Sequence, residues 1–374
     1  MTIARRDLLL GAAASTLGLK ALAAGEVRPT RGPTSNRPLP TDTKAARYRP
    51  STRLGLGGVA IGNGFAPATD EQTLATLEAA WKSGVRYFDT SPFYGYGLSE
   101  RRFGAFLHGK KPDEYVVSTK VGRIFTASQK APAPSQWKDP AWFEYRYDYS
   151  ADAVRRSIED SLQRLGVSRI DVVFVHDLAP SNRDFKKGEY EAHFAVAQKG
   201  AFAALTKLRD EKVIDAWGLG VNDPEPALKA LEVADPDIFL LATQYSLDSH
   251  QRALEETFPA LEKKKVSVVV GAPLNAGWLA GRDRYNYDGK IPDGAKKKRE
   301  RMTAIADQHG IDLRTAALQF CNAHPVVSAV IPGARTPDQA EANAKSYAVN
   351  VPEAFWAALK NEGLIAKEAP TPKS

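Results

Sequence analysis

The sequence predicts an α/β protein folded as a closed (β/α)8 TIM barrel. Two observations carry that prediction. From residue 53 onward, short apolar runs rich in β-branched residues alternate with longer stretches whose apolar residues recur at helical spacing. About eight such strand–helix units follow one another in ~300 residues, which fits a closed barrel better than an open sheet. A third observation points to function: several of the strands end in charged or polar residues rather than apolar ones.

The elements follow in order. Leu54 to Ile61 is the first apolar run, and Thr69-Asp70 caps a helix through Trp81 with Leu74, Leu77 and Ala80 near one face. Val85 to Phe88 is a strand leading into Asp89-Thr90-Ser91; a helix over Ser99 to Leu107 and a strand over Tyr115 to Thr119 come next. Ser150 caps a helix to Leu165, and Ile170 to Val175 is a strand. Helix 198–212, strand Ala216 to Val221, helix 225–234, strand Ile238 to Ala242, helix 251–264 and strand Val266 to Val270 continue the alternation. Helices 296–309 and 312–323 precede strand Val326 to Ile331, and Pro337 opens a last helix.

A doubly wound sheet is the competing α/β architecture, and it needs a Gly-rich fingerprint between a strand and a helix. Residues 55–60, Gly-Leu-Gly-Gly-Val-Ala, match G-x-G-x-x-A, but the preceding Tyr-Arg-Pro-Ser-Thr-Arg is no buried strand. The following Gly-Asn-Gly-Phe-Ala-Pro cannot open a helix, so the match is read as part of the first barrel strand.

The first 52 residues stand apart. Residues 1–24 place Arg5-Arg6 before an apolar stretch from Leu8 to Leu19, with Ala21-Leu22-Ala23 as an A-x-A cleavage site. Arg5-Arg6 with Asp7-Leu8-Leu9 resembles the twin-arginine export signal, although Ala4 and Leu10 depart from it; an ordinary Sec signal or a membrane-tethering helix is the alternative. The address implies the twin-arginine export machinery as a partner and the periplasm as destination. Residues 25–52 hold five prolines and several arginines and read as a solvated linker or a surface strap. The barrel is assigned to 53–366 and a tail to 367–374.

Composition narrows the function. Nearly all of the formal charge of +7 comes from this arm, through Arg5, Arg6, Lys20, Arg28, Arg31, Arg37, Lys44, Arg47 and Arg49. The body is almost balanced, so charge gives no argument for a nucleic-acid groove. No apolar run reaches the ~18 residues of a membrane span. The one cysteine, Cys321, excludes an internal disulfide and a cysteine-built zinc site. None of the six histidines forms an H-x-H or H-E-x-x-H pair, which disfavours a metal-dependent barrel hydrolase, and no metal is expected.

In such barrels the functional groups gather at the carboxyl ends of the strands. Those positions hold Asp89, Lys120, His176, Asn222 and Gln244, with Tyr94 on the loop after Asp89. Taken singly, Asp89 can cap a turn, Tyr94 can pack on the rim, Lys120 can be a solvated strand end and His176 a structural histidine. Taken together they form a proton-transfer set. A lysine cation lowers the phenol pKa from its usual value near ~10, an aspartate holds the lysine, and a histidine fixes a substrate oxygen. That set suits proton transfer to a carbonyl oxygen while a hydride reaches its carbon.

The stretch Gly84-Val85-Arg86-Tyr87-Phe88-Asp89-Thr90-Ser91-Pro92-Phe93-Tyr94-Gly95 with Ser99-Glu100 closely resembles the aldo-keto reductases. So do Ser118-Thr119-Lys120-Val121, the S-L-x-R-L-G core between Ser157 and Asp171, and Asp171 to Asp177. The likeness is greatest to the branch of D-threo-aldose and pyridoxal dehydrogenases. It implies a nicotinamide cofactor, NADP more than NAD, a small carbonyl or sugar substrate, and Asp89, Tyr94, Lys120 and His176 as the catalytic tetrad. It also implies that Asn222 and Gln244 hold the nicotinamide amide and that Ala272, Pro273, Leu274 and Gly277 cover the pyrophosphate. Gly333, Arg335, Gln339 and Asn343 match the adenosine end. Gly271 stands where many members stack an aromatic ring on the nicotinamide. Asn222-Asp223, Gln339 and Ala342 also depart from the usual pattern. A buried amide serving the loop backbone is the alternative for Asn222 and Gln244, and a solvated charge for Arg335. A non-catalytic, cofactor-binding sensor of the same fold is the alternative for the whole chain. Residues 123–149, with Trp137, Trp142, Phe143, Tyr145, Tyr147 and Tyr149, read as a long loop that either floors a substrate or packs the 25–52 strap.

Overall fold

The structure, a computed structural model, describes residues 46–133, 135–287 and 289–372. The export signal and most of the linker therefore lie outside the described residues. The chain runs β1 (Gly55–Gly57), α1 (Asp70–Lys82), β2 (Tyr87–Asp89), α2 (Leu98–Leu107), β3 (Val116–Val121), β4 (Arg123–Ala127), β5 (Phe143–Tyr147), α3 (Ala151–Leu165) and β6 (Val172–His176). It continues with α4 (Glu189–Lys199), α5 (Ala201–Asp210), β7 (Ala216–Val221), α6 (Pro224–Val233), β8 (Ile238–Ala242), α7 (Phe258–Lys264) and β9 (Ser267–Gly271). Last come α8 (Ala295–Gln308), α9 (Leu313–Ala323), β10 (Val327–Ile331), α10 (Pro337–Lys345) and α11 (Glu353–Asn361).

The parallel sheet has the order β1-β2-β3-β6-β7-β8-β9-β10. Parallel bridges from Leu54 to Val330 and from Gly57 to Gly333 close it into the expected (β/α)8 barrel. β4 and β5 form a separate antiparallel hairpin, with Phe125 opposite Tyr145, where the sequence had read as a loop. The first strand is shorter than the apolar run that predicts it, because residues 58–64 turn back on themselves. The helix expected over 198–212 is α5, from Ala201 to Asp210, and it meets an additional helix, α4, at Gly200.

Side-chain parity sets what the strands present. Tyr87, Val116, Val172, Phe174, Ile238, Leu240, Ala242, Val269, Ala329 and Ile331 pack together inside the barrel. Successive strand residues point to opposite faces, so positions two or four further along these strands also face inward. Those positions are Asp89, Lys120, His176 and Gly271. The strand register keeps them level: Asp89 pairs with Ser118, Lys120 with Phe174, and His176 with Gly220.

Helices form where caps and a buried stripe coincide. Thr69 Oγ1 accepts from the Gln72 amide at 3.1 Å at the start of α1. Its buried stripe is Thr73, Thr76, Leu77 and Ala80, while Leu74 is exposed, so the predicted face is rotated. Asp312 caps α9 through Thr315.

The described end of the strap crosses the amino-terminal mouth of the barrel. Arg47 pairs with Asp235, Arg49 donates to the carbonyl of Pro325 at 2.8 Å, and Tyr48 packs against the interior cluster. Packing of the strap against the aromatic hairpin is thus not seen among the described residues. The strap sits at the end opposite Asp89, Lys120 and His176.

Candidate active site

A cavity of about 1250 Å³ opens at the carboxyl ends of the strands. Asp89, Tyr94, Lys120 and His176 all line it. Lys120 Nζ donates to Asp89 Oδ1 and Oδ2 at 3.0 and 2.9 Å and to the Thr90 carbonyl at 2.7 Å. Both side chains are almost fully buried. Burial lifts the Asp89 carboxyl above its ordinary value, against the pull of Lys120 and Ser118.

Tyr94 sits on the turn that joins β2 to α2. The turn is held by Tyr94 N–H to the Ser91 carbonyl at 3.0 Å and by Gly97 N–H to the Pro92 carbonyl at 2.8 Å. Its backbone packs on Gly62 so closely that a Cβ at Gly95, where φ is +65°, would lie 2.4 Å from the Gly62 carbonyl oxygen. The Tyr94 ring centre is 4.7 Å from Lys120 Nζ and 5.9 Å from the His176 ring.

The sequence had led us to expect a lowered phenol pKa. Instead, burial and then Asp89 push Tyr94 well above its ordinary value. The Lys120 charge is already spent on Asp89 and the Thr90 carbonyl. Tyr94 is therefore a fully protonated acid at neutral pH.

His176 Nδ1 lies 3.1 Å from Ser91 Oγ and 3.2 Å from Arg123 Nη1. Burial pushes the imidazole down to about 3, so it is neutral. Four further groups complete this wall, and of these the sequence had singled out only Trp137, among the aromatics of residues 123–149. Ser91 also accepts from the Phe93 amide at 3.1 Å. Arg123, 5% exposed, donates to Asp177 Oδ2 at 2.7 Å and to the Tyr147 hydroxyl at 2.6 Å. Trp137 packs 5.6 Å from the Tyr94 ring. Tyr287, on the loop after β9, packs on the barrel interior from above, its hydroxyl pushed up by burial and then by Asp177 and Asp89. A period-2 pattern in Phe143-Glu144-Tyr145-Arg146-Tyr147 was the available signal for the hairpin that carries this wall.

The cavity runs on past β7 to β10. Asn222 lines it, and Gln244 stands behind, its amide donating to the Asn222 main-chain carbonyl. Gly271, Ala272, Pro273, Leu274 and Gly277 form the next stretch of wall. A Cβ at Gly271 would come within 3.0 Å of the Ala242 Cβ and 3.1 Å of a Leu240 methyl, so a side chain there would have to displace both. Gly333, Arg335, Gln339 and Asn343 line the far end. Gln339 Oε1 accepts from the Arg335 amide at 2.9 Å, and Asn343 donates to the Gly333 carbonyl at 3.4 Å. Thr336 and Pro337 start α10 beside them.

Arg282, Arg284 and Arg335 gather at this end. Burial and the two neighbouring guanidiniums push Arg335 down to about 10. Arg335 Nε is buried without a hydrogen-bond partner. Clustered cations beside a helix start fit a phosphorylated ligand. Among the described residues, no group of three or more His, Cys, Asp or Glu is placed to hold a metal. The end at Tyr94 brings together a protonated phenol, a buried ion pair and a neutral imidazole; the far end brings together three arginines.

Comparisons with known proteins agree with this layout. The model of the aldo/keto reductase family matches residues 53–362. The pyridoxal 4-dehydrogenase of Microbacterium luteolum is 38% identical over 330 residues, spanning 84% of this chain and 95% of its own. The D-threo-aldose 1-dehydrogenase of a Pseudomonas species is 36% identical over 329 residues, spanning 85% and 95%. Among solved structures, a holo-form aldo-keto reductase from Bacillus halodurans superposes with a TM-score of 0.64 at 22% identity, covering 91% of this chain and 99% of its own.

Proposed function

Because the chain belongs to the aldo/keto reductase family, we propose that it moves a hydride between a nicotinamide cofactor and the carbonyl, alcohol or hemiacetal carbon of an aldehyde, ketone or aldose. The observation that carries this reading is the meeting of Tyr94, the Lys120–Asp89 pair and neutral His176 at one end of a cavity whose other end holds clustered arginines. When bound, a nicotinamide dinucleotide supplies or accepts the hydride. Asn222 would hold its amide end, with Gln244 fixing the Asn222 backbone. The loop from Ala272 to Gly277 would cover the pyrophosphate, and Arg335, with Arg282 and Arg284, would take an anionic group at the adenosine end. That last feature favours NADP over NAD.

In the reducing direction Tyr94 gives its hydroxyl proton to the substrate oxygen, and His176 orients that oxygen through its free N–H. Lys120 holds a positive charge near the ring as the phenol loses its proton, and Asp89 keeps Lys120 in place. Trp137, Phe93 and Tyr145 form the aromatic side of the substrate space. The names of the two relatives that are over a third identical support aldehydes or aldoses as substrates.

The reading extends to location. Arg5-Arg6 and the apolar stretch that follows support folded export by the twin-arginine route to the periplasm. A folded barrel would then carry its cofactor across. The test is titration of the purified protein with NADP and NAD, followed by quenching of tryptophan fluorescence. Saturable binding of NADP at micromolar or lower concentration is expected. No binding of either would refute the reading, and binding without turnover on any aldehyde or aldose would favour the non-catalytic sensor.

A further inference from the structure

We propose that Arg123 is a positioning residue: its guanidinium fixes His176 in the neutral Nε2–H tautomer and holds the Asp177 carboxylate away from that nitrogen. The proposal rests on the reading of His176 as the group that orients the substrate oxygen.

The chemistry follows from donor and acceptor inventories. A guanidinium has five N–H donors and no acceptor. Arg123 Nη1 lies 3.2 Å from His176 Nδ1, so Nδ1 must offer its lone pair. Ser91 Oγ, at 3.1 Å from the same nitrogen, accepts from the Phe93 amide with one lone pair and can turn its own hydrogen toward Nδ1 once Arg123 has set that nitrogen as an acceptor. A neutral imidazole whose Nδ1 accepts carries its proton on Nε2. That is the tautomer able to donate to a carbonyl oxygen in the cavity.

Asp177 explains why a donor at Nδ1 is not sufficient alone. Its Oδ1 lies 3.6 Å from His176 Nε2. An unpaired carboxylate there would draw a second proton onto the ring. Arg123 Nη2 takes the other oxygen, Oδ2, at 2.7 Å. One planar cation thus bridges both groups, which a lysine point charge cannot do. The backbone at Asp177 is itself left-handed, with φ of +49°, so its placement is held by its surroundings.

The pocket around Arg123 is shaped for a flat cation. Its guanidinium carbon is 4.0 Å from the Phe93 ring centre and 4.6 Å from that of Tyr147. Its Nε is buried without a partner, a cost that an apolar side chain would avoid. The charged and titratable groups around the imidazole are Arg123 on β4, Lys120 on β3, Tyr94 on the turn after β2, and Asp177 beside it. Tyr149 closes the back by donating to the His176 carbonyl at 3.0 Å. Of these, Asp177 favours the imidazolium, whereas Arg123 and Lys120 oppose it.

The experiment is two-bond proton–nitrogen correlation NMR on the full chain labelled with 15N-histidine, with His176→Gln to assign the signal. Wild type should show the Nε2–H pattern from about pH 5 to about pH 8. In Arg123→Met the signal should move to the Nδ1–H or imidazolium pattern, and kcat should fall about 10-fold to 100-fold with a new ionisation on the acid side. The KM for cofactor should stay unchanged, and Arg123→Lys should not restore kcat. An Nδ1–H or imidazolium signal in wild type at neutral pH, or an unchanged tautomer in Arg123→Met, overturns the proposal. If Arg123→Met does not fold, Asp177→Asn decides. Arg123 still donates to Nδ1 there, so the Nε2–H pattern should persist, and its loss overturns the proposal. The spectra need neither cofactor nor substrate. An Nε2–H signal in a protein without turnover therefore refutes the hydride-transfer reading and leaves the tautomer lock standing.

Discussion

The ammonium of Lys120 lies 4.7 Å from the centre of the Tyr94 ring while it is paired with both oxygens of Asp89. The lysine charge is therefore close enough to act on the phenol but already balanced when the site is at rest. Lys120→Met should remove the charge that a departing phenol proton needs, and it leaves the Asp89 carboxyl buried without its cation. We expect kcat to fall by ~10²–10⁴-fold, the range of a lost proton-transfer group. Asp89→Asn should fall less, because the Thr90 carbonyl still holds Lys120 at 2.7 Å. Steady-state rates of both variants check the order.

Arg335 should set the choice between the two nicotinamide dinucleotides. Its cavity-end position, unpartnered Nε and arginine neighbours leave it short of an anion. A hydrogen bond to a charged group is worth ~1.5–3 kcal/mol, roughly 10-fold to 150-fold in affinity. Arg335→Ala should weaken NADP binding by that factor and leave NAD binding nearly unchanged. Fluorescence titration with both cofactors measures the difference.

Trp137 should act on substrate more than on chemistry. Its ring lies 5.6 Å from Tyr94 and 5.3 Å from Phe93 at the cavity wall. Trp137→Ala should raise KM for aldehyde or aldose with a smaller change in kcat. A kcat loss with unchanged KM would place Trp137 outside the substrate space.

His176 should also leave a mark on stability. Its folded pKa is lowered to about 3 from the ordinary 6.5. The unfolded chain therefore takes up the proton first, and the stability held by the neutral ring is lost progressively as pH falls below about 6.5. Asp171 works in the opposite sense: burial raises it to about 6, so its penalty grows as pH rises towards that value. The two effects separate by mutation. The stability difference between wild type and His176→Gln should shrink between pH 7 and pH 5, by up to ~2 kcal/mol. Urea denaturation at the two pH values tests it.

Export is tested at the arm. Arg5→Lys with Arg6→Lys should leave active enzyme in the cytoplasm. Continued export of that variant, blocked by Sec inhibition, would mean that the signal is an ordinary Sec signal.

The barrel was legible because parallel strands buried on both faces read as apolar runs, as Val172 to Val175 and Val268 to Val270 do. Asp89, Lys120 and His176 were legible because each breaks such a run at its carboxyl end. Arg123 was not, since nothing local distinguishes it from a solvated arginine. Its partners Asp177 and His176 are more than fifty positions away and meet it only through the hairpin. The β4–β5 hairpin was hidden by reading its aromatics as loop residues, although Phe143, Tyr145 and Tyr147 alternate with exposed Glu144 and Arg146. The proton affinity of Tyr94 was misjudged because sequence shows that a lysine is near but not that Asp89 and the Thr90 carbonyl already engage it. Leu74 was assigned to the wrong side of α1 because small Thr73 and Thr76, rather than the larger Leu74, face the barrel.

The central claim is that Tyr94 passes a proton to a carbonyl oxygen while a nicotinamide passes the hydride. Its most direct measurement is the absorbance of the reduced nicotinamide as purified protein is mixed with NADP(H) and a panel of aldehydes and aldoses, in wild type and Tyr94→Phe side by side. The account predicts turnover in wild type, a loss of ~10²–10⁴-fold in Tyr94→Phe, and nearly unchanged cofactor affinity. A Tyr94→Phe enzyme that keeps more than half the wild-type rate would contradict it.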